Sequence, residues 1–417
     1  MSKPNPGVPS STASNRSVPS KGGDPREQAA ESAAPPGKTW FRDLDEAVIE
    51  SDRCTQCGTC VAACPADSIG IDSEMERPTL VKMCTGCSRC WDYCPRSGLR
   101  YERLIREVQE AVPEDVGATY SARAVDEAAA DAGQDGGVVT ALLAELLDAG
   151  EIDGAIVATD SDEPLHGETY LATTREELVE TAGSFYNQTM QAGRIAELIE
   201  GADIEDSEIA VVGTPCVIEG ITALSEYGYE GELDEVVLTI SLMCTRAFES
   251  RRLRDAISEL GVDPETVAKL DVDGGTLFAY DADGEVLFDR DVDAFGHAGL
   301  KGCDECADFV GGTADISAGS VGSGDGRTTL IARTDRGEGA VKQAGDALET
   351  NDLEQEPVLD KVRSWNEKRA RSIIPREYDP EGDLDIPHVD HHEAYDGTDR
   401  EAQPLNPARV HQYEEWC

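Results

Sequence analysis

Lysine is scarce in this chain, and positive charge in general is outnumbered. Lysine and arginine total 36 against 84 aspartates and glutamates, and only nine of the 36 are lysine, so the formal net charge over 417 residues is -48. The acidic excess runs through every segment and is not confined to one tail. Such a surface repels nucleic acid and anionic membranes, so neither is expected as a partner. The pattern is typical of a halophilic host, where molar salt shortens the screening length to about 3 Å. An ordinary acidic cytosolic protein is the alternative.

Long apolar runs are also missing. No stretch reaches the roughly 18 apolar residues that a membrane-spanning helix requires, and residues 1–6 lack the apolar core of a signal peptide. The chain has thirteen cysteines, and without an export signal they favour a reducing compartment. We therefore expect a cytoplasmic protein with no transmembrane segment, long enough for two or three domains.

Two cysteine runs of identical spacing stand near the start of the chain. Both follow the pattern C-x2-C-x2-C-x3-C-P, from Cys54 to Pro65 and from Cys84 to Pro95. Three closely spaced thiolates hold three irons of a cubane, and the fourth cysteine of each run serves the other cluster. The alternatives are paired zinc knuckles, which prefer two separated C-x2-C pairs, and disulfides. The agreement of eight cysteines favours two [4Fe–4S] clusters. The predicted ligand sets are Cys54, Cys57, Cys60 and Cys94 for one cluster, and Cys84, Cys87, Cys90 and Cys64 for the other.

Composition and patterning divide the chain into four parts. Residues 1–38 contain almost nothing large and apolar, and we predict a disordered lead. Residues 39–105 are predicted to form an α+β ferredoxin-like module with two clusters. Alternating strand and helix patterns over residues 118–365 predict an α/β domain. Residues 370–417 form a polar tail.

Four further cysteines lie in the predicted α/β domain. Cys216 and Cys244 each follow a predicted buried strand, at the edge where ligands collect in open α/β sheets. A lone free cysteine is commonly an inert core residue, so neither would indicate a metal by itself. Cys303 and Cys306 have the C-x2-C spacing that binds iron or zinc. Together the four match the number of thiolates that a third cubane needs.

A glycine pair precedes a predicted helix in the same domain. Gly136 and Gly137 leave backbone amides free and permit close approach of a phosphate or a ring edge. Taken alone, such a pair more often marks a turn than a ligand site.

These motifs occur together, and in the same order, in one family. The chain resembles the beta subunits of coenzyme F420-dependent hydrogenases and dehydrogenases, preceded here by a two-cluster ferredoxin module. The resemblance covers roughly residues 118–365. It is carried by residues 136–143, 213–216, 244–245, 303–309 and 314–323.

The resemblance implies an α/β flavin domain that binds FAD and exchanges hydride with coenzyme F420. It also implies that Cys216, Cys244, Cys303 and Cys306 hold a third [4Fe–4S] cluster beside the FAD. Because F420 moves electrons in pairs and clusters move them singly, a flavin is needed between them. Electrons then pass to or from a redox partner protein or subunit, and no side chain is expected to act as acid or base. The implied flavin contacts are Gly136, Gly137, Val138, Val139, Thr140, Gly319, Ser320, Val321, Gly322 and Ser323.

The sequence departs from the family pattern at two positions and leaves other functions open. Phe185 stands where related chains often have lysine, and Val217 where they often have glutamine. A reductase of this family acting on a different substrate fits the same motifs, and so does an electron-carrier subunit without flavin chemistry. The remaining candidates are in the tail and are expected to be solvated or unpaired. They are His388, His391, His392 and Cys417.

Overall fold

The computed structural model describes residues 40–72, 75–97, 100–101, 104, 117–202, 207–227 and 233–373. The predicted disordered lead and most of the predicted tail lie outside these ranges. So do the four tail candidates, His388, His391, His392 and Cys417.

The two cysteine runs organise a small α+β module. The hairpin strands β1 and β2 pair antiparallel, and the third cysteine of each run lies in a short helix. Phe41, Leu44, Val48 and Ile69 pack with several of the cysteines in one apolar cluster. The predicted ferredoxin-like module is confirmed. Its elements are α1 (Phe41–Leu44), a π-helical segment (Asp45–Ile49), α2 (Thr59–Ala62), β1 (Ile69–Asp72), β2 (Arg77–Leu80) and α3 (Arg89–Asp92).

The sequence duplication of this module is also a duplication of backbone conformation. Gln56 and Gly86 occupy matching positions and both have positive φ, at 54° and 71°. Gly58 and Ser88 also match, with φ of 83° and 69°, and they cap α2 and α3. These left-handed residues turn the chain between the loop that carries the first two cysteines and the helix that carries the third.

A mixed α/β fold follows, as predicted. Its strands are β3 (Ala118–Ala124), β4 (Gly154–Asp160), β5 (Gly167–Ala172), β6 (Ile209–Gly213), β7 (Val236–Leu242), β8 (Lys269–Asp273), β9 (Thr276–Tyr280), β10 (Val286–Asp291), β11 (Ile316–Gly319), β12 (Thr328–Ala332) and β13 (Leu348–Asn351). Its α-helices are α4 (Glu127–Ala132), α5 (Val138–Ala149), α6 (Arg175–Glu180), α7 (Ile195–Ala202), α8 (Pro215–Tyr227), α9 (Ser250–Glu259), α10 (Asp335–Ala344) and α11 (Glu356–Ile373). None of the described helices is both long and apolar enough to span a bilayer.

An eight-stranded sheet with the order β13-β3-β12-β11-β7-β6-β4-β5 forms the centre of this domain. The four inner strands β11, β7, β6 and β4 are parallel, and antiparallel strands complete both edges. Every residue of β6 is buried, as expected for a parallel strand covered on both faces. Because β6 and β7 are parallel neighbours, the loops after their carboxyl ends lie side by side.

Helices cover both faces of the sheet. On one face α5 buries Leu142, Leu143 and Leu146 against the strands. On the other face α8 buries Ile218 and Ile221, in an apolar cluster that also includes residues of the ferredoxin-like module. A separate three-stranded sheet, β10-β9-β8, packs against α9.

Helix α11 continues past residue 365, where the sequence patterns placed the end of the domain. Ala370 is fully buried. Arg369 Nη2 donates to the carbonyl of Thr245 (2.8 Å) and to that of Cys303 (3.0 Å). The helix therefore belongs to the α/β domain and holds two cysteine-containing loops together.

The ferredoxin-like module packs tightly on the α/β domain. Cys57, Ala63 and Tyr93 share an apolar cluster with residues of α8. At Gly58, a Cβ atom would overlap the carbonyl group of Met190, so only glycine permits this close approach of two backbones.

Candidate redox site

The eight ferredoxin-type thiols lie in two groups, each with one member from the other run. Burial raises the pKa of the Cys54 and Cys60 thiols, and nearby Cys57 and Cys94 raise both further. Burial also raises the pKa of Cys90. The thiols that raise it further are Cys87, Cys84 and Cys64, together with Cys94. The folded chain thus places Cys94 beside the first run and Cys64 beside the second.

Backbone amides point at several of these sulfurs. In both runs the amide two residues after the first cysteine donates to its Sγ, at 3.3 Å in the first run and 3.4 Å in the second. The same contact occurs at Cys94 (3.4 Å), and the amide of Ser68 donates to Cys64 Sγ (3.2 Å). Amide donors of this kind orient thiolate ligands and set the potential of an iron–sulfur cluster. The donor set fits two [4Fe–4S] clusters.

The four later cysteines come from three loops of the α/β domain. Cys216 lies in the first turn of α8 directly after β6, and Cys244 follows β7. Cys303 belongs to a 3₁₀ turn, Lys301–Glu305, and Cys306 follows that turn. The amide of Cys244 donates to the carbonyl of Phe309 (3.0 Å), which holds the loop after Cys306 against the end of β7.

These four thiols are electrostatic neighbours. Burial raises the pKa of the Cys216 thiol, and Cys57, Cys303 and Cys306 raise it further. Burial and the proximity of Cys303 and Cys306 likewise raise the pKa of Cys244. The structure thus brings together the four cysteines grouped from the sequence, and their thiols suit a [4Fe–4S] cluster as ligands.

The three groups lie in a row. Among the thiols, Cys57 of the first group has the largest electrostatic effect on Cys216, which links the third group to the first. Cys60 and Cys90 join the first group to the second. Among the twelve described cysteines, Cys87 of the second group is the exposed one. The row therefore runs from the α/β domain to the surface of the ferredoxin-like module.

Within the described ranges, no three His, Cys, Asp or Glu side chains are grouped so as to hold a single metal ion. A cubane takes one thiolate on each of its four irons, so its ligands surround a cluster and need not converge on one point.

An open cleft lies beside the third cysteine group. The space within it is about 1030 Å³, a figure that includes space open to solvent. The first turn of α5 forms one wall, and the carboxyl ends of the inner strands form another. Five of the predicted flavin contacts line the cleft, namely Gly137, Val138, Val139, Thr140 and Gly319. The other five are not among its lining residues: Gly136, Ser320, Val321, Gly322 and Ser323.

The start of α5 offers unpaired amides to this cleft. Its N-cap residue, Gly137, has a positive φ of 65° and no side chain that could accept from the first turn. The first N–H groups of this 12-residue helix have no intrahelical acceptor. Their partial positive charge favours an anionic group such as a phosphate. This wall therefore fits the pyrophosphate of FAD.

Several lining residues were not singled out from the sequence as cofactor contacts. They include residues 181–185, 187–189 and 212–214. Residues 212–214 could have been found from the sequence, because they lie at the end of β6, at the sheet edge where α/β proteins bind ligands. The other two belong to loops brought in by the fold. Phe185, one of the two departures noted from the sequence, is among the lining residues.

The cleft lining is acidic or neutral. Among the described residues that line it there is no lysine, arginine or histidine. Asp135 is its carboxylate, and burial together with nearby Asp271 raises the pKa of this side chain to about 6.

Two cleft residues contact the third cysteine group directly. Gln188 Nε2 donates to Thr214 Oγ1 (2.9 Å) and to Cys216 Sγ (3.7 Å). Thr214 Oγ1 lies 3.4 Å from the same sulfur. Because Gln188 and Thr214 both line the cleft, their hydrogen bonds connect its wall to the Cys216 sulfur.

These features define a class of protein: a dicluster ferredoxin module joined to a mixed α/β domain with an open cleft at the carboxyl ends of its inner strands. Three family models match this arrangement in order. The 4Fe-4S dicluster domain matches residues 47–99, and the N-terminal and C-terminal models of the coenzyme F420 hydrogenase/dehydrogenase beta subunit match residues 119–195 and 206–356.

Individual relatives agree with these models. The beta subunit of coenzyme F420 hydrogenase from Methanothermobacter thermautotrophicus is 34% identical, over 61% of this chain and 92% of the relative. A subunit of the F420-reducing [NiFe] hydrogenase complex from Methanosarcina barkeri superposes with a TM-score of 0.57 at 29% identity, covering 62% of this chain and 92% of that one. The chain belongs to the coenzyme F420 hydrogenase/dehydrogenase beta-subunit family, which confirms the resemblance.

A third relative matches a larger share of this chain. The coenzyme F420-dependent sulfite reductase of Methanocaldococcus jannaschii is 34% identical over 79% of this chain. The chain spans about half of that relative, 51% of its length.

Proposed function

We propose that this protein is an iron–sulfur flavoprotein oxidoreductase that exchanges hydride between coenzyme F420 and an FAD held in the cleft. It passes single electrons to or from a redox partner protein through three [4Fe–4S] clusters. The third cluster is assigned to Cys216, Cys244, Cys303 and Cys306. FAD, when bound, supplies the conversion between two-electron and one-electron chemistry.

One observation carries this proposal: the contact of Gln188 and Thr214 with Cys216. Both side chains line the cleft and both approach the Cys216 sulfur. Cys216 in turn neighbours Cys57 of the ferredoxin-like module. A cofactor in the cleft therefore lies at one end of a continuous row of thiols, and exposed Cys87 lies at the other.

The chain's own residues position and shield the reactants. The α5 amides bind the negative charge of a dinucleotide, and Gln188 and Thr214 orient the Cys216 sulfur by hydrogen bonds. Buried Tyr93, Ile218 and Ile221 exclude water between the module and the α/β domain. No described side chain is required to act as a general acid or base.

Anaerobic purification followed by cofactor analysis tests the proposal. Three cubanes predict about twelve irons and as many sulfides per chain, with one FAD. Reduced F420 should then bleach the flavin absorbance and reduce the clusters. A protein with iron but without flavin would instead be an electron carrier, and a colourless zinc protein would overturn both functions.

Two substitutions separate the cofactor sites. Cys216→Ser should remove about four irons and leave the ferredoxin-type clusters. Val139→Trp places a large ring at the cleft wall and should lower FAD occupancy at least tenfold without changing the iron content. Ala149→Trp is the matched control, because Ala149 is exposed at the far end of the same helix. Equal FAD loss in both tryptophan variants would contradict the assignment of the cleft.

The absence of cations in the described cleft lining favours a second candidate, a family reductase with a different substrate. The side chain of F420 is anionic, and Phe185 offers it no charge. If F420 is the substrate, its KM should differ from that of the bare deazaflavin ring system without the phosphate-bearing side chain. Equal KM values would show that only the ring is recognised, and failure of both to react would favour the different substrate.

A further inference from the structure

Arg96 is a buried arginine between the first and the third cysteine groups. It follows the first-group ligand Cys94 by two residues and is 3% exposed. Its Nε donates to the carbonyl of Gly302 (2.6 Å), in the loop that carries Cys303. Its Nη1 donates to the carbonyl of Pro95 (2.6 Å), in its own module. The guanidinium therefore joins two domains at the place where two cysteine groups meet.

One end of this guanidinium has no partner in the part of the chain that the structure describes. Within the described residues, Nη2 of Arg96 is buried and makes no hydrogen bond. Glu305, the carboxylate among the main electrostatic neighbours of Arg96, accepts from both Arg53 Nε (2.7 Å) and Arg53 Nη2 (2.8 Å). A buried cation is costly unless a negative group compensates it. The arrangement thus calls for a negative group beyond protein carboxylates.

The third cysteine group supplies that negative charge. The electrostatic neighbours of Arg96 include Cys306, Cys303 and Cys216. Gly302, whose carbonyl accepts from Arg96 Nε, directly precedes Cys303 in the chain. A thiolate-bound cubane is negatively charged and gains a further negative charge on reduction. A fixed cation beside the cluster stabilises the reduced form of the cluster more than its oxidised form.

We propose that Arg96 sets the reduction potential of the cluster held by Cys216, Cys244, Cys303 and Cys306, and that its bond to Gly302 keeps that cluster beside the first one. This inference rests on the proposed function, since it requires the third cluster. Arg96 acts as a positioning and potential-setting residue, not a catalytic one. It raises the potential of the third cluster and so favours electron transfer from the cleft.

The experiment is an anaerobic redox titration of the full holo-protein followed by electron paramagnetic resonance. The resonance signal that is present in the wild type and missing from Cys216→Ser is assigned to the third cluster. Arg96→Gln should lower the reduced-to-oxidised ratio of that cluster at a given applied potential about tenfold, which is 59 mV for one electron. Arg252→Gln is the matched control. It also removes an arginine between the two domains, but Arg252 is paired with Asp52 (3.2 Å) and its side chain is 41% exposed.

A second variant keeps the test decisive if Arg96→Gln does not fold. In Arg96→His at pH 8.5 the imidazole is neutral, because the ordinary histidine pKa is about 6.5. Its third-cluster potential must therefore lie below that of the wild type. A merely structural role would change stability and leave the potential unmoved.

The possible outcomes are distinguishable. A third-cluster potential equal to that of the wild type in either Arg96 variant, with full iron content, overturns this inference and leaves the proposed function standing. An equal shift in Arg252→Gln overturns it as well, because the effect would not then depend on the buried cation. If the wild-type protein contains about eight irons instead of twelve, both the assignment of the third cluster and this inference are wrong.

Discussion

The ion pair between Arg53 and Glu305 should make a large contribution to the docking of the two domains. Arg53 belongs to the ferredoxin-like module and Glu305 to the 3₁₀ turn of Cys303. Both guanidinium contacts are short, at 2.7 and 2.8 Å, and the side chains are only 30% and 9% exposed. The Arg53 guanidinium also lies over the Tyr101 ring, 5.1 Å from its centroid. Arg53→Met should leave the Glu305 carboxylate buried without its hydrogen-bonded cation.

The expected cost is about 3 kcal/mol of unfolding free energy, the lower end of the range for breaking a buried pair, because Arg53 is partly hydrated. The cost depends on pH. Burial alone would raise the pKa of Glu305, but the Arg53 guanidinium holds it below the ordinary value. A lowered folded-state pKa contributes stability above the unfolded value of about 4.3, and the contribution is lost as pH falls through the folded value. The difference between wild type and variant should therefore be full at pH 7 and shrink in acid.

Urea unfolding at fixed KCl concentration, followed by circular dichroism, measures this cost. Variants must be compared at equal iron content, because bound cofactors shift apparent stability. The double variant Arg53→Met/Glu305→Leu should recover about 2 kcal/mol of the loss, since it removes both charges. A single-variant cost below about 0.5 kcal/mol, typical of exposed pairs, would refute the argument.

Three further predictions concern packing, the cleft and the surface. In Gly220→Ala the new Cβ would overlap Thr59 Oγ1 of the ferredoxin-like module, so urea unfolding should show a loss of about 1–3 kcal/mol. Gly201→Ala, where the new Cβ meets nothing within 4 Å, should be neutral or stabilising. Asp135 has a folded-state pKa raised to about 6, so stability is lost as pH rises from about 4 through 6. Asp135→Asn should therefore be more stable than wild type by about 1–2 kcal/mol at pH 8 and equal at pH 3.5; no difference at pH 8 would contradict this. Because the net charge is -48, the melting temperature should rise steeply between 0.15 and 2 M KCl as the screening length falls. A melting temperature that does not change with KCl would favour an ordinary acidic protein over a halophilic one.

Local spacing was enough to predict the ferredoxin-like module. The ligands of one loop are held by the same few backbone dihedrals, so C-x2-C-x2-C specifies a cluster site without long-range information. The assignment of Cys64 and Cys94 each to the cluster of the other run followed from the same short spacing, because one tight loop supplies only three ligands to a cubane. Alternating strand and helix patterns also predicted the α/β class, because strand and helix periods differ.

Where an interaction joins distant parts of the chain, the sequence alone could not locate it. The antiparallel edge strands β3, β5, β12 and β13 depend on pairing between remote segments, which no local pattern specifies. The cleft residues 181–185 lie in a loop that the fold brings to the site, and their sequence does not predict a ligand site. Gln188 likewise meets Cys216 only because β6 and its following helix place the sulfur there.

The sequence by itself identified the candidate iron ligands: twelve cysteines in recognisable spacings or at predicted strand ends, whose thiolates are intrinsically suited to iron. Only the tertiary structure decided that the three groups lie in a row beside a cleft, and that Arg96 meets Gly302 across 206 residues of chain. The physical reason is that coordination chemistry belongs to the side chain, whereas proximity, burial and the field of a neighbouring charge arise when distant segments pack together.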